Sequence, residues 1–172
     1  MSMFDSIIAA AGAPANSGGS IGQLQSWDKT IGLDTRTADV ERAFLDDPAL
    51  PGFIVRSGAE VFGILSRRML FTAISQPYGR EVFIKRPLGE MAGKIDTAPL
   101  MLPASTPLAA ALKLAMARED ELRFEPFLLH AASGIRLLEL HVLMVAQANL
   151  LEEALVSRDR LLDKIKAVVG NR

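Results

Sequence analysis

A hydroxyl and two guanidinium groups stand side by side at Ser66-Arg67-Arg68, where an apolar run ends and an amphipathic stretch begins. A helix starting there offers free N–H groups and the positive end of its dipole, the setting in which anions bind. Ser66 could then bond a ribose or a phosphate. The plainer reading is that it only caps the helix. Two cations in a first turn oppose the dipole, so Arg67 and Arg68 call for a compensating anion. Phosphate would serve, and so would Glu60 or Glu81. Arg80, Lys85 and Arg86 follow closely and would extend a basic patch, since bidentate arginine suits phosphate. They also read as the ordinary surface charges of a connector.

Glu139 and His141 are two apart on a stretch patterned as a strand, hence on one face. They form a proton-sensitive pair or a ligand contact, set against the commoner reading of a structural histidine. With His130 they would make three metal ligands, but the spacing is not of the zinc type. Asp46-Asp47 and Glu152-Glu153 read as a helix stop and a solvated helix face rather than an acid–base pair. There is no cysteine, hence no thiolate chemistry, and no P-loop, nucleophile elbow or zincin motif, so an enzyme is not expected. A net charge of -1 argues against general nucleic-acid binding.

The elements that would hold these groups repeat. Phe53-Ile54-Val55, a polar turn and Val61-Phe62-Gly63-Ile64-Leu65-Ser66 lead into a helix from Arg67. Phe127-Leu128-Leu129, a turn at Ser133-Gly134 and Leu137-Leu138-Glu139-Leu140-His141 lead into another from Val142. Each hairpin follows a short strand and an amphipathic helix. The first helix contains Val40, Ala43, Phe44 and Leu45 on one face, with Thr37 as N-cap. The second runs from Leu108 to Ala117, with Ser105 or Thr106 as cap and Pro107 in its first turn. The order β-α-β-β-α occurs twice, which predicts an α+β protein of two units packed as a pseudo-twofold pair, with a ligand-sized cleft between them.

We divide the chain into a flexible N-terminal segment at 1–30, with a short helix over 3–11 and Trp27 as an anchor, a first repeat at 31–76, a connector at 77–98, a second repeat at 99–150 and a helical extension at 151–172. The connector is too apolar to be free and should pack on the domain. Leu150, Leu151, Ala154, Leu155, Leu161, Leu162, Ile165 and Val168 recur at three-to-four spacing, which predicts a helical partner, a second copy of the chain. No basic n-region opens the chain and no apolar run reaches membrane-spanning length, which predicts a cytoplasmic protein.

The run Gly63-Ile64-Leu65-Ser66-Arg67-Arg68, glycine then two apolar residues then a hydroxyl entering a helix, resembles the signature of a CBS domain, named from cystathionine beta-synthase. Two copies in tandem resemble a CBS pair, or Bateman module, of the divergent type in bacterial signalling proteins. The resemblance spans about 31–150. It implies a regulatory module that binds AMP, ADP, ATP or S-adenosylmethionine between the repeats and dimerises through its helices. It also implies that the long last helix leads to an output domain or partner. The family pattern continues to an acidic residue or Asn three positions after the hydroxyl, where this chain has Met69. In the second unit we align Leu138 with the glycine and His141 with the hydroxyl.

Overall fold

The computed structural model describes residues 19–169. The helix expected at 3–11 lies outside them. In the first unit, β1 (Thr30–Gly32) leads through α1 (Thr37–Asp46) to the hairpin β2 (Gly52–Ser57) and β3 (Glu60–Ser66), and then to α2 (Arg67–Ser75). The second unit repeats this with β4 (Met101–Pro103), α4 (Leu108–Met116), β5 (Phe127–Ala131), β6 (Gly134–Leu138) and α5 (Leu140–Val169). Between them lie α3 (Gly79–Phe83) and a 3-10 turn at Leu88–Lys94. Each unit has a three-stranded sheet in sequence order, its first pair parallel and its hairpin antiparallel.

Local chemistry sets these elements. Gly58 takes φ 60 at the first central position of the two-residue turn between β2 and β3. In α1, Val40 and Phe44 are buried four residues apart, whereas Leu45, expected on the same face, is exposed. Asp47 is the C-cap of α1 and Pro48 follows it. Thr37 is not the cap: it lies inside the helix, fully buried, and its hydroxyl donates to the carbonyl of Arg86. The N–H groups of Thr37 and Ala38 donate to the carbonyls of Arg86 and Ile84. The connector therefore satisfies the start of α1, and Leu88, Met91 and Ile95 complete the first core, as its apolar composition predicts. In α4, Pro107 sits at the N-cap, one residue earlier than expected.

The expectation of a flexible segment up to residue 30 fails for its described part. Ile21 is fully buried in the second core, and the N–H groups of Ile21 and Gly22 donate to the carbonyls of Thr106 and Ala104. Leu24 packs against the same core and Trp27 against the other two, so apolar side chains scattered among small polar ones hold this segment down.

A third, smaller core joins the units. It consists of Ile54 and Ile64 from one hairpin and Leu128 and Leu137 from the other. Two crossing segments reinforce it. Trp27, which precedes β1 of the first sheet, exchanges both backbone bonds with Leu137 of the second at 2.8 and 2.7 Å. Asp96, which precedes β4 of the second sheet, exchanges both with Ile64 of the first at 2.9 and 3.0 Å. Each repeat thus lends the other an edge contact.

Gly63 has its reason here. A Cβ at that position would lie 2.2 Å from the Asp96 carbonyl oxygen, a backbone atom fixed by the crossing. Gly63→Ala should lower stability by about 1–3 kcal/mol, as overpacking against backbone does. Gly93→Ala, where an added Cβ meets nothing within 4 Å, is the control and should change little. Urea unfolding of both variants checks this, and equal midpoints would show that the crossing yields freely.

Candidate functional site

One face of α2 forms a wall of a cleft of about 440 Å³. Arg68, Met69 and Thr72 come from that helix and Gln76 from its C-cap, Lys94, Asp96 and Thr97 from the crossing segment, and Glu119, Glu121 and Leu122 from the second repeat. The volume lies in the usual range of small-molecule sites.

Ser66 points into the fold. It is 2% exposed, and its Oγ accepts the Met69 N–H at 3.1 Å, so it is the N-cap of α2 and does not line the cleft. Arg67 also turns away from solvent. Its Nε donates to the carbonyl of Leu50 at 3.2 Å, and one terminal nitrogen donates to those of Phe44 at 2.7 Å and Asp47 at 2.6 Å. The guanidinium also lies over the Phe44 ring, 4.9 Å from its centroid. The negative charge that Arg67 requires is supplied by the carbonyl end of α1.

Arg68 finds a carboxylate that sequence spacing did not suggest. Its Nε pairs with Glu125 of the second repeat, and a terminal nitrogen donates to the Glu121 carbonyl at 2.8 Å. Glu60 and Glu81 are not its partners. The Glu125 side chain is 4% exposed and that of Arg68 58%, so the acid is buried and the base stays at the cleft surface.

The wider basic patch does not assemble. Arg80 bonds Glu41 through two contacts of 2.5 and 3.1 Å, Arg86 bonds Glu90 at 3.1 Å, and Lys85 is exposed. None of the three lines the cleft. Glu139 and His141 do meet, with Nδ1 3.3 Å from the carboxylate. His141, however, lies in the first turn of α5 rather than on a strand, and it is exposed. Among the described residues no group of His, Cys, Asp and Glu has the geometry to hold a metal ion.

The strand register corrects our alignment of the repeats. Phe53 pairs with Leu65 and Phe127 with Leu138, so the counterpart of Ser66 is Glu139, not His141. The counterpart of Gly63 is Arg136, not Leu138, since they pair with Val55 and Leu129. Where Gly63 admits the crossing backbone at Asp96, Arg136 reaches out to the reciprocal crossing and donates to the Ser26 hydroxyl at 2.7 Å and carbonyl at 3.0 Å. The helix starts two residues before the Val142 that the pattern predicts, because Leu140 continues the apolar run of β6 without a turn signal.

Sequence reasoning missed Asp96, Arg118 and Glu125, which carry the charge behind the cleft. Arg118 donates to the Ala115 carbonyl at 3.2 Å and the Glu125 carbonyl at 2.5 Å, and lies over Phe127, as Arg67 does over Phe44. Burial lowers Arg118 from the ordinary guanidinium value, with Asp96 and Glu125 opposing that shift. Burial raises the Asp96 carboxyl above the ordinary carboxylate range, and the Ala98 N–H and the Arg118 charge offset part of it. The signal in the sequence was the single Glu125 between Phe124 and Pro126, an acid among residues that go inside.

No protein-family model and no curated protein matches the sequence. Solved structures do match. The CBS-pair protein CBSX2 from Arabidopsis thaliana superposes with a TM-score of 0.60 at 16% identity, covering 79% of this chain and 99% of that one. The chain has the fold of a tandem CBS pair. The CBS-domain containing protein ATU1752 from Agrobacterium tumefaciens gives 0.60 at 12% identity, over 78% and 98% of the two chains. CBSX2 has also been solved in complex with AMP, and that structure gives 0.56 at 19% identity over 77% and 98%. The cleft lies between the two repeats of this fold, and no helix among the described residues is long and apolar enough to cross a membrane.

Two predictions concern the charges of the cleft. Arg68→Ala should cost about 1–3 kcal/mol, because it strands the buried Glu125 carboxylate, and adding Glu125→Gln should recover most of that loss. A urea double-mutant cycle reads the coupling, and additive losses would refute it. Because the Asp96 carboxyl is raised, the folded chain holds its proton more tightly than the unfolded chain. Stability should therefore fall as pH rises through the window just above the ordinary carboxylate range. Asp96→Asn, which keeps an acceptor for Ala98, should remove that slope. A slope that survives would assign it to another group.

Proposed function

We propose that this CBS pair is a regulatory module that senses an adenosine nucleotide in the cleft between its repeats, rather than a catalyst. The observation that carries this reading is Arg68, an exposed cation on the cleft wall whose counterion, Glu125, belongs to the other repeat. The AMP complex of CBSX2 supports the choice of ligand class. Met69 cannot accept ribose hydroxyls, so Thr72 from the wall and Asp96 from the floor take that role. A phosphate that engages Arg68 competes with Glu125. The two repeats then lose one link and repack, provided the ligand prefers the repacked state.

The charge of the cleft narrows the ligand. Arg68 and Lys94 face Asp96, Glu119 and Glu121. Three carboxylates against two cations disfavour a triphosphate and favour AMP or the cationic S-adenosylmethionine. The output is read by a partner in signal transduction, through α5.

Calorimetric titration with AMP, ADP, ATP, S-adenosylmethionine and cyclic dinucleotides tests this. Micromolar binding of AMP or S-adenosylmethionine, weaker binding of ATP, and a several-fold loss in the Arg68→Ala/Glu125→Gln protein are expected. No binding across the panel would leave the second reading, a ligand-free interaction module. The apolar surface of α5 favours that reading, since Leu151, Leu155, Leu161 and Ile165 are all more than half exposed.

A further inference from the structure

Helix α5 leaves the body where its burial ends. Leu140 and Leu143 are buried in the second core, and Ala146 and Leu150 pack against it. From 151 to 169 every residue is exposed, a length of about 27 Å. Yet Leu151, Leu155, Leu162, Ile165 and Val169 recur at spacings of four and three, the seam of a coiled coil. Leu161 and Val168 widen the same stripe on one flank. The other flank carries Glu152, Asp159 and Lys166, seven residues apart.

One seam position breaks the pattern. Between Leu155 and Leu162 it falls on Arg158, which bonds its neighbour Asp159 at 2.8 and 3.0 Å. In a parallel, in-register pair each seam layer faces itself, so Arg158 would oppose Arg158 inside the interface. An antiparallel pair removes that conflict. Leu151 then lies against Val169 of the second copy, Leu155 against Ile165, and Arg158 against Leu162. The overlap uses the exposed stretch in full. It also sets Glu152 beside Lys166 of the second copy, twice by symmetry, and joins the two apolar flanks; Asp159 meets its own copy at the centre of the charged flank, where Arg158 of the same helix already bonds each carboxylate. A parallel pair would instead set the charged flank against Gln147, Ala154 and Leu161.

We propose that a second copy of this chain covers α5, and that the two helices pair antiparallel over 151–169, with the bodies at opposite ends. The charge complementarity of Glu152 with Lys166 and the placement of Arg158 select both the occupant and the direction. The inference does not depend on any ligand in the cleft.

The chain contains no cysteine, so an introduced thiol is unique. Light scattering of the full chain at tens of micromolar should give a dimer, and Leu155→Glu/Leu162→Glu a monomer with the thermal transition of the body retained. Oxidising a mixture of the Leu151→Cys and Val169→Cys proteins should yield the mixed disulfide dimer, while Leu151→Cys alone stays uncrosslinked. Glu152→Lys should weaken the dimer roughly tenfold, as should Lys166→Glu, and the two together should restore it. A monomeric parent chain, or a dimer that survives Leu155→Glu/Leu162→Glu, would overturn the pairing. Efficient crosslinking of Leu151→Cys with itself, or charge reversals that do not compensate, would overturn the antiparallel direction.

Discussion

The reciprocal crossing of the two sheets is the constraint on which the rest of the molecule depends. Three-stranded sheets with one small helical layer bury too little to stand alone comfortably. The chain solves this by spending the residues just before each β1-type strand on the other sheet. Trp27 and Asp96 each close a two-bond bridge there. The four aliphatic side chains between the hairpins are fully covered as a result. Because the crossing segment at 93–98 leaves one repeat and enters the other, it must pass beside α2. That passage makes the floor of the cleft.

The same economy governs the charges. A cation at a helix start is unfavourable in isolation, and the sequence alone suggests an external anion. The structure supplies internal ones. Arg67 spends its donors on the last carbonyls of α1, and Arg118 does so on Ala115 near the end of α4. Both stack on a phenylalanine of their own repeat, so the duplicated units share a cap that their sequences do not display at matching positions. Of the clustered basic residues in the first repeat, only Arg68 faces the cleft, because its neighbour is occupied with structure.

The duplication and its element order were legible because they rest on apolar periodicity and turn glycines, which act locally. The Gly63-to-Ser66 run was legible for the same reason. It was read partly for the wrong function, since Ser66 serves the helix and Gly63 serves the crossing backbone. The alignment of the second repeat failed because Leu137, Leu138 and Leu140 form one apolar run across a strand end and a helix start. Apolarity does not distinguish the two periods over so few residues. The partners of Arg68 were beyond reach, because Glu125 lies 57 residues away and only the fold brings it near.

The cleft and the long helix are joined by a short, continuous set of contacts. Glu125, the counterion of Arg68, is two residues before Phe127. Phe127 pairs with Leu138 across the hairpin, and Leu138 stands two residues before the first residue of α5. Phe127 and Leu138 are both fully buried, and they share a core with Leu140 and Leu143. Between Glu125 and the root of α5 lie close-packed side chains rather than an open loop. Coupling between distant sites requires a contiguous packed route and an element with two arrangements. The β5–β6 hairpin supplies a packed connection of that kind, and the ion pair of Arg68 with Glu125 stands at its start.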